Sequence, residues 1–590
     1  VLKRWWIWGL LLVCLACGRE DAELAGVQNS GEPELRFATE EERQAARVVP
    51  HSYMVAFKDL SLDRKVFQQS FPAQLRAHGR SLTRQFAQYA GLRSMRFLGT
   101  LNLSQPGQSF APRVTTYSSP WFHQELPYDH DMAGFSVVAF DNEEVAHATL
   151  RAWMQEGRIW FAEPNYRQDL KGEVEDRLIR DFQNNTTTPW LEQVGFVDAI
   201  SSLANVPDKA SPVIAVMDSG VDVEHPLLRD AVYRNELGQN KLCRGDIYGC
   251  NTTIAEKEQL GDGAVYPTGV EGFGQSCPFG SENCEHGTHV AGIIAANGSS
   301  DFTGLCPYCR ILVVKVVEIE KRGNAEAFSI KDSSIIAGLA YVSGFKVGGE
   351  PLVRVINASF GKFERSRSVE LFVRALRNFG RGTLMVAAAG NEDTMKRQYP
   401  AGFDEVIAVA NVQSRVDTPS KSPSSNFGMW VDISAPGDGD CIVGSGAGIL
   451  STVPGGSADC KQGTSMAAPV VAGIAGLILA KEPNLTASQV EARLKDTAVP
   501  DELYRDGVNN GYRPAVTGGQ VVPLLGSGVV NARAAVDPSL DQSPSILTNR
   551  VDRVQAGCGV LGQDQSGTQW ILTLPVLFVF VSWYRRRFPR

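Results

Sequence analysis

The sequence has no surplus of positive charge. Its 57 lysines and arginines are outnumbered by 65 aspartates and glutamates, for a net charge of -8 at pH 7. That balance excludes a chain whose binding rests on neutralising phosphates, and nucleic acid is set aside as a partner. Collagen, coiled coils and repeat arrays are excluded too, because the chain carries no Gly-X-Y or heptad period and no internal repeat. Long hydrophobic runs are scarce: there is one at each end and one at Ala467–Ala480, so a multi-span membrane protein is out. What remains is an ordinary globular balance, 43% apolar and 21% charged over 590 residues. At roughly 100–200 residues per domain this is room for several structural units.

The run at the start, Trp5 to Ala16, follows Lys3 and Arg4. Charge followed by a short apolar stretch has the layout of an export signal, so residues 1–17 are excluded from fold reasoning. Leu15-Ala16-Cys17 resembles the end of a bacterial lipoprotein signal, with Cys14 where an aliphatic residue is usual. Cys17 is therefore a candidate for acylation, and a plain cleaved signal is the alternative reading. The run at the other end, Trp570 to Tyr584, abuts Arg585, Arg586 and Arg587. As a helix it reaches only about 22 Å of a hydrocarbon core of roughly 30 Å, so it needs local thinning or snorkelling arginines to span. With Cys558 upstream, a second lipidation candidate, the tail resembles the Cys–apolar–Arg surface-sorting tails of some Gram-negative and myxobacterial proteins. That implies a membrane as a partner, with the basic end on the cytoplasmic side.

Eight of the eleven cysteines lie between Cys243 and Cys460. An even number in an exported chain reads as disulfides. The candidates are Cys243, Cys250, Cys277, Cys284, Cys306, Cys309, Cys441 and Cys460; the local pairings expected are Cys441 with Cys460 and partners within the first four. Zinc fits less well, because the Cys243–Cys250 and Cys277–Cys284 spacings exceed the usual ligand gap. Cys306-Pro307-Tyr308-Cys309 has the letters of a redox tetrapeptide, but in an oxidising compartment it reads as a loop disulfide.

Along the chain, residues 18–46 form a polar linker, 47–170 a small α+β unit, 171–187 a processing linker, 188–540 the main domain and 541–590 a linker plus tail. The small unit is expected to run strand (Tyr53–Phe57), helix (Val66–Tyr89), strand (Gly134–Phe140), helix (Asn142–Gln155) and strand (Ile159 to about Asn165). In the main domain short apolar strands such as Val213–Met217 and Leu384–Ala388 alternate with helices such as Ser334–Tyr341. This is the pattern of an α/β fold with a parallel sheet flanked by helices.

Three places join a buried strand or helix to a polar residue beside glycine. Val216-Met217-Asp218-Ser219-Gly220 ends a strand in a carboxylate suited to orienting an imidazole. His286-Gly287-Thr288-His289-Val290-Ala291-Gly292 is expected to open a helix. Gly463-Thr464-Ser465-Met466-Ala467-Ala468-Pro469 sets a serine at a helix start, where free N–H groups and the positive helix end favour an oxyanion. His286 and His289 lack the glutamate and third ligand of a metalloprotease helix, so no metal is expected there.

Asp, His and Ser in this order with these flanks resemble the subtilisin family of serine proteases over about residues 188–540. The resemblance implies that Asp218 supports His286, that His286 acts as general base and then acid, and that Ser465 is the nucleophile. Asn391, in Ala387-Ala388-Ala389-Gly390-Asn391, matches the side-chain donor to the oxyanion. Val355 to Gly361 resembles the strand that pairs with an extended peptide substrate, so Ser359, Phe360, Gly361, Ala389 and Gly390 are expected to wall the pocket for the residue before the cut. No cofactor is required. The α+β unit resembles the family's propeptide, which implies an intramolecular inhibitor released by self-cleavage between about Tyr166 and Thr188. The expected protein is thus an exported or surface-anchored bacterial serine endopeptidase made as a zymogen and acting on proteins or peptides. A catalytically silent, peptide-binding surface module is the alternative.

Three departures bear on that carry-over. Asp218 and His286 lie 68 positions apart, with a cysteine-rich insertion expected near the active-site rim. Leu227 stands where the family's structural calcium finds an aspartate. Gln398 precedes Tyr399-Pro400 where the compact members have a pocket-floor glycine, which is expected to disfavour a large side chain before the cut.

Overall fold

The computed structural model describes residues 34–58 (less 40–41 and 44–47), 92–102, 132–170 and 189–540, the last less 205, 207–209, 236–242, 254–259, 268–281, 298–302, 323–324, 415–418, 442–445, 505–508 and 513–522. The signal, the helix expected at Val66–Tyr89, the linker at 171–187 and the tail at 541–590 lie outside the described residues, as do Cys14, Cys17, Cys277 and Cys558.

The described chain opens with a small unit whose strands are β1 (Val48–Lys58), β2 (Leu92–Asn102), β3 (Met132–Phe140) and β4 (Ile159–Leu170), with helix α1 (Glu143–Gln155) between the last two. Helix α1 starts where Asn142 offers its side-chain oxygen to the Val145 amide, and it buries Ala146, Leu150 and Trp153 on one face. Strand β1 lies between β3 and β4, antiparallel to both, and β2 pairs with β3. Alternate residues of β1 serve two cores: Tyr53, Val55 and Phe57 pack with Trp153 of α1, while Met54 and Ala56 face the main domain.

The main domain is built on a nine-stranded sheet. Its strands in chain order are β5 (Val213–Asp218), β6 (Cys243–Arg244), β7 (Gly249–Asn251), β8 (Gly261–Asp262), β9 (Arg310–Lys315), β12 (Val353–Ala358), β14 (Leu384–Ala388), β15 (Val406–Gln413) and β16 (Ile433–Asp438). A separate hairpin, β10 (Val317–Arg322) with β11 (Ala325–Lys331), and the short β13 (Phe360–Gly361) complete the strand count needed here. The spatial order is β16-β15-β14-β12-β5-β9-β7-β8-β6, and pairing is parallel from β16 through to β7.

Both faces of this sheet are buried, as the continuous apolar strands require. Ile214 and Val216 of β5 face the core that holds helices α2 (Glu282–Ala295) and α5 (Thr464–Lys481). Val213, Ala215 and Met217 face the core that holds α3 (Asp332–Ser343) and α4 (Arg367–Asn378). Among the described residues α5 is the one helix long and apolar enough to cross a membrane, and it is buried inside the domain.

Three expectations need correction, and the insertion takes a definite place. A strand unforeseen in the small unit, Leu92–Asn102, pairs along β3. Strand β4 does not stop near Asn165 but continues to Leu170, because its second half pairs with β11 and β13, strands far away in sequence that local pattern cannot reveal. His286 sits in the second turn of α2 instead of opening it, since the helix begins in the polar stretch from Glu282. The described part of the insertion adds the edge strands β6, β7 and β8 to the main sheet, and its return at Val265–Tyr266 lies against Gly220, two residues beyond Asp218.

Disulfides join Cys243 to Cys250 and Cys306 to Cys309, and Cys284 and Cys460 are disulfide-bonded as well. Cys306 and Cys309 are fully buried against α5, so the redox reading, which needs accessible thiols, has no surface to act from.

Candidate active site

Parallel strands end together, and here their carboxyl ends gather the polar groups that sequence singled out. Asp218 closes β5, fully buried, and both of its oxygens reach His286 Nδ1, at 2.9 and 3.0 Å. The Ser219 amide also donates to Asp218 Oδ1, at 2.7 Å. The carboxylate thereby fixes Nδ1 as the protonated nitrogen, which leaves Nε2 as the acceptor. Helix α2 can come this close because Gly287 has no side chain: a Cβ there would lie 2.2 Å from the Gly220 carbonyl oxygen. His286 Nε2 is buried without a hydrogen-bond partner.

Ser465 is the second residue of α5, and α5 packs against α2. Its hydroxyl donates to the Ser359 carbonyl at 3.1 Å, while the Ser359 hydroxyl donates to the Ser465 carbonyl at 2.9 Å. Asn391, just past β14, accepts from the Thr464 amide at 3.0 Å and from the Thr464 hydroxyl at 2.9 Å. Both bonds go to its oxygen, so the amide nitrogen is the end turned away from Thr464, as a donor to an oxyanion must be.

The residues expected to wall the pocket follow β12 and β14. Phe360 and Gly361 pair antiparallel with Leu170 and Asp169. On the opposite side Lys331 and Ile330 of β11 pair with Arg167 and Gln168. The end of β4 is thus an extended segment held between two strand edges, as a peptide is when it adds a strand. Ala389 and Gly390 follow β14; the Ala389 carbonyl accepts from Asn426 Nδ2 and the Gly390 amide donates to Thr464 Oγ1.

His289 does not belong to the chemistry. It is fully buried and its Nε2 faces the carbonyls of Ile449 and Asp459, at 3.0 and 3.1 Å. Burial, reinforced by the Lys461 ammonium, holds its pKa well below the ordinary imidazole value. Leu227 offers no ligand oxygen on its side chain, which packs on the core. Its amide donates to His225 Nδ1 and its carbonyl accepts from Asn297. The family's calcium site at this position therefore does not fit the residues present, and among the described residues no group of three or more His, Cys, Asp or Glu is placed to hold a metal.

Several residues of the site escaped sequence reasoning. Glu163 of β4 accepts from the amides of Ser368 and Arg367, at 2.9 and 3.1 Å, capping α4 from another unit. Asn165 accepts from the Ser333 amide at the start of α3, at 3.1 Å. Lys362 and Asp332, both buried, form a 2.6 Å ion pair with the Tyr166 ring 4.1 Å from the ammonium. Polar residues followed by helix-forming stretches were visible in sequence; the partners, about 200 positions away, were not.

A family model described as the subtilase family, Peptidase_S8, matches residues 209–522. The chain belongs to the subtilase family. M-protease of Shouchella clausii is 34% identical over 251 residues, 42% of this chain and 54% of that protein. The cell wall-associated protease of Bacillus subtilis is 30% identical over 391 residues, 66% of this chain and 36% of the relative. The chain therefore spans about half of one relative and about a third of the other. Fervidolysin of Fervidobacterium pennivorans, a keratinolytic enzyme related to subtilisin, shares the fold with a TM-score of 0.52 at 21% identity, covering 88% of this chain and 64% of that one.

Proposed function

We propose that this subtilase is a serine endopeptidase made as a self-processing zymogen and exported to the cell surface or beyond. The observation that carries the reading is the strand pairing of Asp169–Leu170 with Phe360–Gly361, beside Ser465. A segment of the chain lies where an extended substrate would, leading on from a unit that packs on α3 and α4 through Phe135 and Phe372, with rings 5.2 Å apart.

In the reaction, Ser465 Oγ turns from the Ser359 carbonyl to His286 Nε2, gives it the proton and bonds to the scissile carbonyl carbon. The oxyanion so formed is met by the Asn391 amide and by the Ser465 N–H at the start of α5. The C–N bond breaks, the leaving amine takes the proton from His286, and water enters by the same steps in reverse to free the acid and restore the serine. Asp218 stabilises the imidazolium formed at each stage.

Export and anchoring rest on the sequence. The short apolar run at residues 5–16, the cysteines at 17 and 558 and the Arg-flanked run at 570–584 support a signal, lipidation and a membrane tail; the disulfides fit an oxidising compartment. A fluorophosphonate probe tests the central reading: it labels Ser465 in the wild type and nothing in Ser465→Ala. The alternative, a silent peptide-binding module, draws on the engagement of the Ser465 hydroxyl by Ser359, and an unlabelled, folded wild type would favour it.

A further inference from the structure

Glu285 stands one residue before His286 on α2, and Lys461 four residues before Ser465. The two are 176 positions apart in sequence, yet Lys461 Nζ donates to Glu285 Oε2 at 2.8 Å. The Lys461 side chain is 2% exposed and that of Glu285 27%, so a buried ammonium is neutralised by a carboxylate nearer the surface. Asp459 Oδ2 lies further off, at 4.0 Å.

Lys461 ends the second strand of a hairpin, β17 (Ile449–Val453) with β18 (Ser457–Lys461), that packs on α2. The hairpin grips the helix just beyond His286. Thr452 Oγ1 donates to the Thr288 carbonyl at 2.8 Å, and Ser451 Oγ to the His289 carbonyl at 2.7 Å. Glu285 and Lys461 add a hold on the near side of His286. From Lys461 the chain runs through Gly463, whose amide donates to the Gly437 carbonyl at 2.8 Å, into the first turn of α5. A displacement of Lys461 is thus passed to Ser465 along four residues of backbone, and a displacement of Glu285 to His286 along one.

The alignment matters because no hydrogen bond joins the two catalytic side chains here. The Ser465 hydroxyl is on the Ser359 carbonyl, and His286 Nε2 has no hydrogen-bond partner. Their approach depends on how α2 and α5 are held.

The cysteines supply a second, independent observation. Cys284 precedes Glu285, Cys460 precedes Lys461, and both are disulfide-bonded. Each end of the ion pair is thereby anchored covalently through its neighbour. Holding a long side chain in one geometry costs rotamer entropy, which is what makes exposed pairs weak. Burial of Lys461 between anchored main chains has already fixed that geometry, so the pair can transmit position.

Resting on the peptidase reading above, we propose that Glu285 and Lys461 are positioning residues that align the general base with the nucleophile by fixing α2 to the turn that leads into α5. Neither takes part in bond making.

The test follows labelling by a fluorophosphonate probe, which needs Ser465 and His286 aligned but no particular side chain before a cleaved bond. The proteins are the full chain, self-processed under oxidising conditions, as wild type, Glu285→Gln, Lys461→Met, the double variant and Lys461→Arg, each with its urea unfolding midpoint. We expect the maximal labelling rate to fall about tenfold or more in each of the first two variants, since a misplacement of about 1 Å can cost on the order of 10²-fold. The half-saturating probe concentration should change by less than about twofold. The double variant should be no slower than the slower single one, and Lys461→Arg should stay within about threefold of the wild type. A folded Glu285→Gln chain that fails to process itself shows the same loss by another readout. If Lys461→Met does not fold, Glu285→Gln, nearly isosteric and partly exposed, decides the matter. A wild-type labelling rate in Glu285→Gln, even with a lowered midpoint, or losses that multiply in the double variant, overturn the proposal, while labelling of the wild type leaves the peptidase reading standing. A wild type that folds but does not label overturns both.

Discussion

The hydroxyls of Ser359 and Ser465 exchange hydrogen bonds with each other's main-chain carbonyls, at 2.9 and 3.1 Å. The reason lies four residues further along α5. Pro469 has no N–H, so the Ser465 carbonyl loses its helical partner, and Ser359, just past β12, supplies the missing donor. The proline that disturbs the helix thereby ties the turn that holds Ser465 to the strand proposed to pair with a substrate.

Removing that donor tests the relationship. Ser359→Ala leaves a buried carbonyl unpaired and should destabilise the folded chain by about 1–3 kcal/mol in urea unfolding of the Ser465→Ala background, where processing cannot confuse the result. Pro469→Ala restores an N–H to the helix and should recover most of that loss; no recovery would mean the Ser465 carbonyl is not the group at issue.

Asn391→Ala should lower kcat by about 10²–10³ with little change in KM, a magnitude carried over from subtilisin itself and not from this geometry. Steady-state kinetics on a peptide substrate decide it. A change confined to KM would place Asn391 in ground-state binding instead of on the oxyanion.

Glu163 ties the N-terminal unit to α4, and its burial raises its carboxyl pKa above the ordinary 4.5. The docked state therefore holds a proton more tightly than the undocked one. Docking is strongest at acid pH and loses stability as pH rises from about 4.5 through the raised value. Amide exchange at Arg367 and Ser368 in the full-length Ser465→Ala protein should accordingly quicken from pH 5 to pH 8 beyond its intrinsic rise, and Glu163→Ala should make it fast throughout.

His225 and His289 titrate in the opposite sense. Burial is the leading cause in both and pushes each imidazole below 6.5. The unfolded chain takes up protons first, so stability present above about pH 6.5 is lost as pH falls toward the depressed values, at about 1.4 kcal/mol per pH unit for each proton. His289→Gln keeps a donor for the Ile449 and Asp459 carbonyls and should make the acid side of the stability curve shallower by about one proton. An unchanged slope would contradict the assignment.

How far the sequence could be read depended on how local each signal was. Asp218, His286, Asn391 and Ser465 each stand in a short flank that names its own strand or helix, and the structure brings them to the same end of the sheet. Apolar runs such as Val213–Met217 reveal a strand buried on both faces for the same reason. By contrast, the continuation of β4 to Leu170 depends on Ile330, Lys331, Phe360 and Gly361, and no local period announces a pairing with strands so distant. Gln398 was visible as an odd residue before Tyr399-Pro400, but its orientation comes from Glu392 and Asn426, which only the folded loop brings together.

Self-cleavage by Ser465 is the proposed step on which the zymogen reading depends. The direct measurement is the intact mass over time of the full chain, wild type and Ser465→Ala, produced under oxidising conditions. If Ser465 does the cutting, the wild type alone loses its N-terminal unit and then digests casein, while Ser465→Ala stays whole. Two folded proteins that both remain full length and inert, or a variant that is processed as fast as the wild type, would contradict it.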